Sequence, residues 1–414
     1  MPASLIRIII GTLVIIGAAT FAARTSIETT YKRAALEVCD LIETYYFRSG
    51  EPEVKSFIVR CRDAAQKQKF LLSKVENIRR INTRLSMLRT SHLNLYRPDE
   101  NRALWENRAL DTGIRSRFVE SDLIVHRVLD GSEAKKAGIQ PGDVLLKIDG
   151  GTVSSPWDAQ SSGGRYMISR RGDVLTFDLQ PSEITEDMSP TLRELNARTA
   201  LLRFPSFLSQ YYEAESWKRV AAKLGRYEHI IIDLRDNAGG SFPAMLRALS
   251  PFTCRDRLIG ELITSPERGG PEVQEVTDLR DVLDTRSQLA QLSEARRIRL
   301  RTFLTYGCYD GAATVLIDGG TSSTAEIFAD AFFTRKNSRV HGQPSAGQVV
   351  MAQWFTVANF GGDDTSISIP IAGYVSSAGS EIENEGLRPE KLLYYDLERS
   401  RAGFDTWIDE SVSK

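Results

Sequence analysis

IIIDLRDNAGGSFPAML, residues 230–246, decides the fold. It reads as a strand, a tight turn and the start of a helix. Gly239 and Gly240 let the backbone approach a ligand with no side chain in the way. Their N–H groups sit at the helix start, where the dipole favours negative charge. Taken alone, the pair is equally a packing feature of any strand–turn–helix unit. Outward from this stretch, residues 184–414 alternate strand-like runs (ALLRFPSF, HIIIDLRD, ATVLIDGG, ISIPIAGYV) with helix-like ones (EAESWKRVAAKLG, FPAMLRALSPF, AEIFADAFF). That alternation is an α/β plan. The polar stretch DLRDVLDTRSQLAQLSEARRIRLRTFL reads as a helical surface insertion or lid.

Upstream, residues 25–101 carry apolar residues at helical spacing with basic residues between them, and no strict heptad. Pro98 breaks that pattern. Residues 102–183 change period. SRFVESDLIVHRVL alternates like strands, and DGSEAKKAGIQPGDVLLKIDGGTV follows as turn, short helix, tight turn, strand and hairpin turn. The GSEAKKAGIQPGDVLLKIDG run resembles a PDZ domain. That resemblance implies capture of an extended peptide by strand addition, with Thr112, Gly113 and Ile114 as the carboxylate-holding loop. A purely structural PDZ domain is the competing reading.

The first 24 residues stand apart. SLIRIIIGTLVIIGAATFAAR has a weak basic start and about sixteen apolar or small residues, short for a membrane span and suited to a signal core. A cleaved signal and a retained anchor both place the rest in an exported compartment, periplasmic or secreted. Four cysteines allow three pairings; the local one, Cys39–Cys61 with Cys254–Cys308, is preferred, and four free thiols remain possible. The 414 residues carry a net charge of −1, so no long-range field recruits nucleic acid. No zinc-ligand cluster, dinucleotide fingerprint or Walker loop is present, so neither metal nor cofactor is expected.

Chemistry concentrates in GGTSSTAEIF, residues 319–328. A serine after glycines, on a strand-to-helix turn, suits a nucleophile. Ser323-x-x-Glu326 is also a capping box, a purely local role. Three stretches together (230–246, 319–328 and GQPSAGQ at 342–348) resemble the tail-specific, or carboxyl-terminal processing, serine proteases, and SEIENEGLRPEKLL resembles that family's closing pattern. The resemblance covers nearly all of residues 35–395 and implies a helical N-terminal region, a PDZ domain and an α/β (crotonase/ClpP-like) protease core. It makes Ser323 the nucleophile, with backbone N–H groups of Gly239 or Gly240 and of Thr324 as the oxyanion hole.

The best-known members use a lysine base 25 residues after the serine, and that position is Gln348 here. The tricorn-like branch instead uses a histidine preceded by a serine near the end of the N-terminal helical region, matching Ser91-His92. Its late glutamate corresponds to Glu383, with Glu381 and Glu385 close by. His341 is the runner-up base. The implied function is a cofactor-independent serine endopeptidase acting on exported proteins or peptides, as unfolded or C-terminal segments. The alternative is a catalytically inactive homologue that binds peptides or ligands through its PDZ domain.

Overall fold

A computed structural model describes residues 25–70, 73–106, 108–264, 273–276, 295–302, 304, 306–360 and 363–412. The expected signal or anchor and most of the expected lid lie outside these residues. No helix among the described residues is long and apolar enough to cross a membrane.

The architecture is mixed α/β. A six-stranded sheet runs in the order Thr191–Asn196, Thr199–Arg203, His229–Asp233, Ala312–Ile317, Ser338–Gly342, Lys391–Leu392. Its first pair is antiparallel and the remaining pairs are parallel. Parallel strands covered on both faces need unbroken apolar runs, and Ile230, Ile231 and Ile232 are all fully buried. Each such side chain contributes roughly 2 kcal/mol of burial. The turns that carry function leave the C-terminal ends of the two central strands, as open α/β sheets favour.

A second six-stranded sheet is built on the long hairpin Met351–Phe360 and Asp363–Ser376, extended by Leu258–Thr264, Arg297–Arg301 and Val273–Val276. Helices Phe242–Thr253 and Thr324–Asp330 share one core with residues of both sheets. Arg297–Arg301 corrects the helical reading of this stretch. Ile298 and Leu300 are fully buried, while the arginines between them are not, and that alternation has the period of a strand.

The N-terminal helices, residues 25–45, Pro52–Lys67 and Lys74–Leu85, pack onto the long hairpin through Val357, Phe360, Ile367 and Ile369. The region is not wholly helical. Asn94–Tyr96 joins the second sheet as an edge strand, with Leu95 opposite Ile367. The free side of that strand is satisfied by a side chain: Asn82 accepts from the Leu95 N–H at 2.8 Å and donates to the Leu95 carbonyl at 3.0 Å. Pro98 starts a new helix, Pro98–Glu106, where its missing N–H costs nothing.

Residues 108–185 form a unit with its own apolar core. Its sheet runs Ile114–Val119, Asp122–Val128, Val144–Ile148, Gly164–Arg170, Asp173–Leu179, with Gly151–Thr152 on Val144–Ile148. Helices Glu133–Ala137 and Pro156–Ser161 cover it, and Arg108–Asp111 pairs with Ser182–Thr185 where the chain enters and leaves. The four cysteines form Cys39–Cys61 and Cys254–Cys308. By loop-closure entropy these contribute about 3 and 4 kcal/mol.

Candidate active site

The turn after His229–Asp233 is fixed by its own side chains. Asn237 donates its amide to the Phe204 carbonyl at 2.8 Å, and its Oδ1 accepts from the Gly239 N–H at 2.8 Å. Arg235 points the other way, paired with Asp233 and Asp405 and hydrogen-bonded to the Tyr395 hydroxyl. The Asp233 carboxylate holds this buried guanidinium firmly charged against the pull of desolvation. Both glycines of the turn are required. A Cβ on Gly239 would sit 2.7 Å from the Ser323 Cβ, and one on Gly240 2.4 Å from the Phe207 carbonyl oxygen, with positive φ at both. Of the two expected oxyanion donors here, Gly239 is corrected: its N–H is already given to Asn237. The N–H groups of Gly240 and Thr324 have no protein acceptor among the described residues.

Ser323 stands at the matching turn of the neighbouring strand, with φ 59° and ψ −128°. An ordinary N-cap residue lies in the extended region, so this conformation is strained, at roughly 1–3 kcal/mol. The strain is held in place by Glu326, a fully buried carboxylate. It accepts from the Ser323 N–H at 3.0 Å, the Gln348 N–H at 2.8 Å, the Gly347 N–H at 2.7 Å and the Ser345 hydroxyl at 2.5 Å. Burial pushes its carboxyl upward in pKa, while the four donors pull it back toward the charged form. Ser345 in turn accepts from the Leu387 N–H at 2.7 Å. Glu326 therefore does more than box a helix: it joins the serine turn to the 345–348 loop. The sequence signal for it was present and understated its reach.

A second carboxylate holds the opposite wall. Glu383 accepts from the Ser91 N–H at 2.8 Å, from the Ser91 hydroxyl at 3.1 Å and from the Val349 N–H at 2.8 Å. The Ser91 Oγ lies 2.9 Å from His92 Nδ1. A carboxylate can only accept, so the one hydroxyl proton of Ser91 goes to Glu383. The same oxygen then accepts from Nδ1–H, and Nε2 keeps its lone pair. Desolvation pushes the half-buried imidazole down to a pKa of about 4, so it is neutral near pH 7. His92 also has φ 58°, uncommon for a residue other than glycine. The edge strand Asn94–Tyr96, two residues on, fixes it there.

Ser91, His92, Gly239, Gly240, Ser323 and Gln348 line one cavity of about 550 Å³. Its other walls are mainly apolar and aromatic, including Leu104, Trp105, Phe242, Met351 and Trp354, with Trp105 and Trp354 edge to face at 4.8 Å. Asp236 is the one ionisable residue besides His92 and Tyr96 on that lining. His341 is buried in its strand and lines a different cavity, so it is not brought to Ser323. His229 bonds Thr314 at 2.9 Å, and His126 is half-buried in the 108–185 unit near Arg117 and Arg127. The described residues hold no cluster of metal-ligating side chains.

The expected peptide-carboxylate loop is also corrected. Thr112 and Ile114 are fully buried. The Thr112 N–H is given to the Gln160 carbonyl at 2.8 Å, and the Gly113 N–H to Asp111 Oδ1 at 2.6 Å. The loop offers neither donor to a ligand because its own neighbours have taken both.

Residues 198–392 match the model of peptidase family S41. That span contains Gly240, Ser323, Glu326 and Glu383 and leaves out Ser91 and His92. The chain is 24% identical over 298 residues to the chloroplastic carboxyl-terminal-processing peptidase 2 of Arabidopsis thaliana, covering 68% of this chain and 52% of that one. It is 22% identical over 307 residues to the carboxy-terminal-processing protease of Bartonella bacilliformis, covering 71% and 63%. The chain thus spans about half the length of the first relative. Among solved structures, the photosystem II D1 C-terminal processing protease is similar with a TM-score of 0.52 at 18% identity, covering 91% of this chain and 98% of that one. Mature CPAF complexed with lactacystin is similar with a TM-score of 0.61 at 14% identity, covering 92% and 98%. The S41 match and the relatives point the same way: residues 198–392 carry a serine peptidase region of family S41, and the chain is similar to carboxyl-terminal processing proteases.

Proposed function

We propose that the chain is a serine endopeptidase in which Ser323 is the nucleophile and His92 the general base, with Ser91 and Glu383 orienting the base. The observation that carries this reading is the chain Glu383–Ser91–His92 reaching the cavity that Ser323 lines. Ser323 Oγ attacks the scissile carbonyl carbon as His92 Nε2 takes its proton. The Gly240 and Thr324 N–H groups receive the oxyanion. The C–N bond then breaks, and His92 returns the proton to the leaving amine. Water attacks the acyl-enzyme, losing its proton to His92, which restores Ser323 as the acid leaves. Glu383, through the Ser91 hydroxyl, steadies the imidazolium at each protonation. Gln348 at the lysine position is then no obstacle, since the base comes from the N-terminal region.

The apolar cavity walls favour apolar side chains beside the scissile bond, in unfolded or extended polypeptide. Residues 108–185 act as a PDZ unit beside an α/β core of the crotonase/ClpP-like kind, and the two disulfides suit an exported compartment, periplasmic or outside the cell. A fluorophosphonate probe tests the reading. It labels Ser323 in the native chain and fails in Ser323→Ala and His92→Ala. Absence of label with unfolded protein present, together with retained peptide binding, would favour the inactive binding homologue that Gln348 suggests.

A further inference from the structure

Three donors in the 108–185 unit converge on one carboxylate. Asp111 accepts from the Gly113 N–H at 2.6 Å and the Gln160 side-chain amide at 2.7 Å, and pairs with Arg115 at 3.0 Å. Asp111 is almost wholly buried, at 3% exposure. Backbone N–H, amide and guanidinium together make a carboxylate cradle, the donor set that would hold the end of a peptide. Gly113 is at φ 91°, and a Cβ there would meet Ser132 at 2.1 Å, so the close turn that aims its N–H is built in. Two of its three donors, Arg115 and Gln160, line a cavity together with Asp111. The cavity, of about 460 Å³, is also walled by Tyr96, Trp157 and Ile184. Asn94, Tyr96, Ala103 and Leu104 line both this cavity and the one at Ser323.

We infer that Asp111 is a built-in surrogate for a peptide's terminal carboxylate, so this unit does not select substrates by a free C-terminus. The inference rests on the reading of residues 108–185 as the peptide-binding unit. A second carboxylate brought to the occupied cradle would face Asp111 and compete for donors already given away. The substrates that fit are polypeptide segments passing through as internal chain, held by side chains and backbone and not by their end. Arg115 is also paired with Glu186 at 2.8 Å, a contact that does not involve Asp111, so its guanidinium should keep a partner in an Asp111 variant.

The test uses the full chain carrying Ser323→Ala and an N-terminally fluorescein-labelled, apolar ten-residue peptide made as free acid and as C-terminal amide. Anisotropy titrations give the two Kd values. With Asp111 in place the Kd values agree within about twofold, or neither peptide binds. Asp111→Ala then binds the acid at least tenfold more tightly than the amide, and Gln160→Ala added to it removes that preference. Asp111→Ser reads the same comparison if the alanine variant does not fold. A tenfold preference for the acid with Asp111 present overturns the inference. So does the absence of any acid preference in the folded Asp111 variants, binding or not. Hydrolysis of an unfolded protein by the chain with Ser323 intact is followed in parallel. Its absence would sink the peptidase reading and leave the anisotropy comparison decisive for this one.

Discussion

Glu326 and Glu383 do similar work over very different distances along the chain. Each is a carboxylate that accepts from the 345–349 loop, and each holds one half of the candidate catalytic pair. Glu326 reaches the Ser323 N–H across three residues, and Glu383 reaches Ser91 across 292. Glu326 is fully buried, with four donors and a strained residue to hold. Glu383 has three donors, and its task is to orient a hydroxyl. The difference teaches that the serine turn is a local device completed by burial, whereas the base is assembled only by docking the N-terminal region on the hairpin.

The comparison can be broken at its centre. Ser323→Ala should lower kcat by about 10⁶-fold while leaving the melting temperature within a few degrees, read by hydrolysis of an unfolded substrate. His92→Ala should cost roughly 10³-fold or more, since it removes the proton acceptor. Equal activity in His92→Ala and the native chain would end the assignment of the base.

The two carboxylates should then separate. Glu326→Gln turns an acceptor of four donors into a group with one acceptor oxygen and an amide facing donors. Each buried donor left facing the amide without an acceptor costs about 1–3 kcal/mol. We expect a large fall in thermal stability together with lost activity. Glu383→Gln keeps the shape and loses the charge. It should lower kcat by about 10²-fold, close to the size seen when an orienting group is lost, with little change in stability. If the Glu383 variant unfolds as readily as the Glu326 variant, the two residues are both structural clamps and the distinction fails.

The pH dependence sharpens the same point. His92 is pushed down to about 4 by desolvation. Its neutral, proton-accepting form therefore persists below the ordinary histidine range, and the acid limb of kcat/KM should fall well below pH 6.5. Removing the Glu383 charge takes away support for the imidazolium, so Glu383→Gln should move that limb lower still. Linkage gives the matching stability effect. Below pH 6.5 the unfolded chain gains a proton on His92 that the folded chain declines. The contribution of His92 to stability is thus intact above pH 6.5 and erodes as pH falls toward 4. Denaturant melts of the native chain and His92→Ala across that window should converge toward acid pH.

The smallest effect is expected at the oxyanion turn's neighbour. Asn237→Ala frees the Gly239 N–H and loses the bond to Phe204. It should cost about 1–3 kcal/mol and loosen Gly240, lowering kcat by less than the His92 change. An unchanged kcat would show that Gly239 and Asn237 do not position the donor.

What could be read from the sequence was local. The strand–turn–helix at 230–246, the Ser323 turn and the turn chemistry of the 108–185 unit each depend on residues close in the chain, where backbone conformation and spacing speak for themselves. Ser91-His92 and Glu383 could be picked out through family resemblance, and no spacing rule joins residues so far apart. Tertiary structure alone decided the rest. It put Glu383 against Ser91, gave the Thr112 donor to Gln160, and made residues 297–301 a strand by burying Ile298 and Leu300. The physical reason is that a donor is spent or free according to what the fold brings within hydrogen-bond distance, and that proximity is settled by packing.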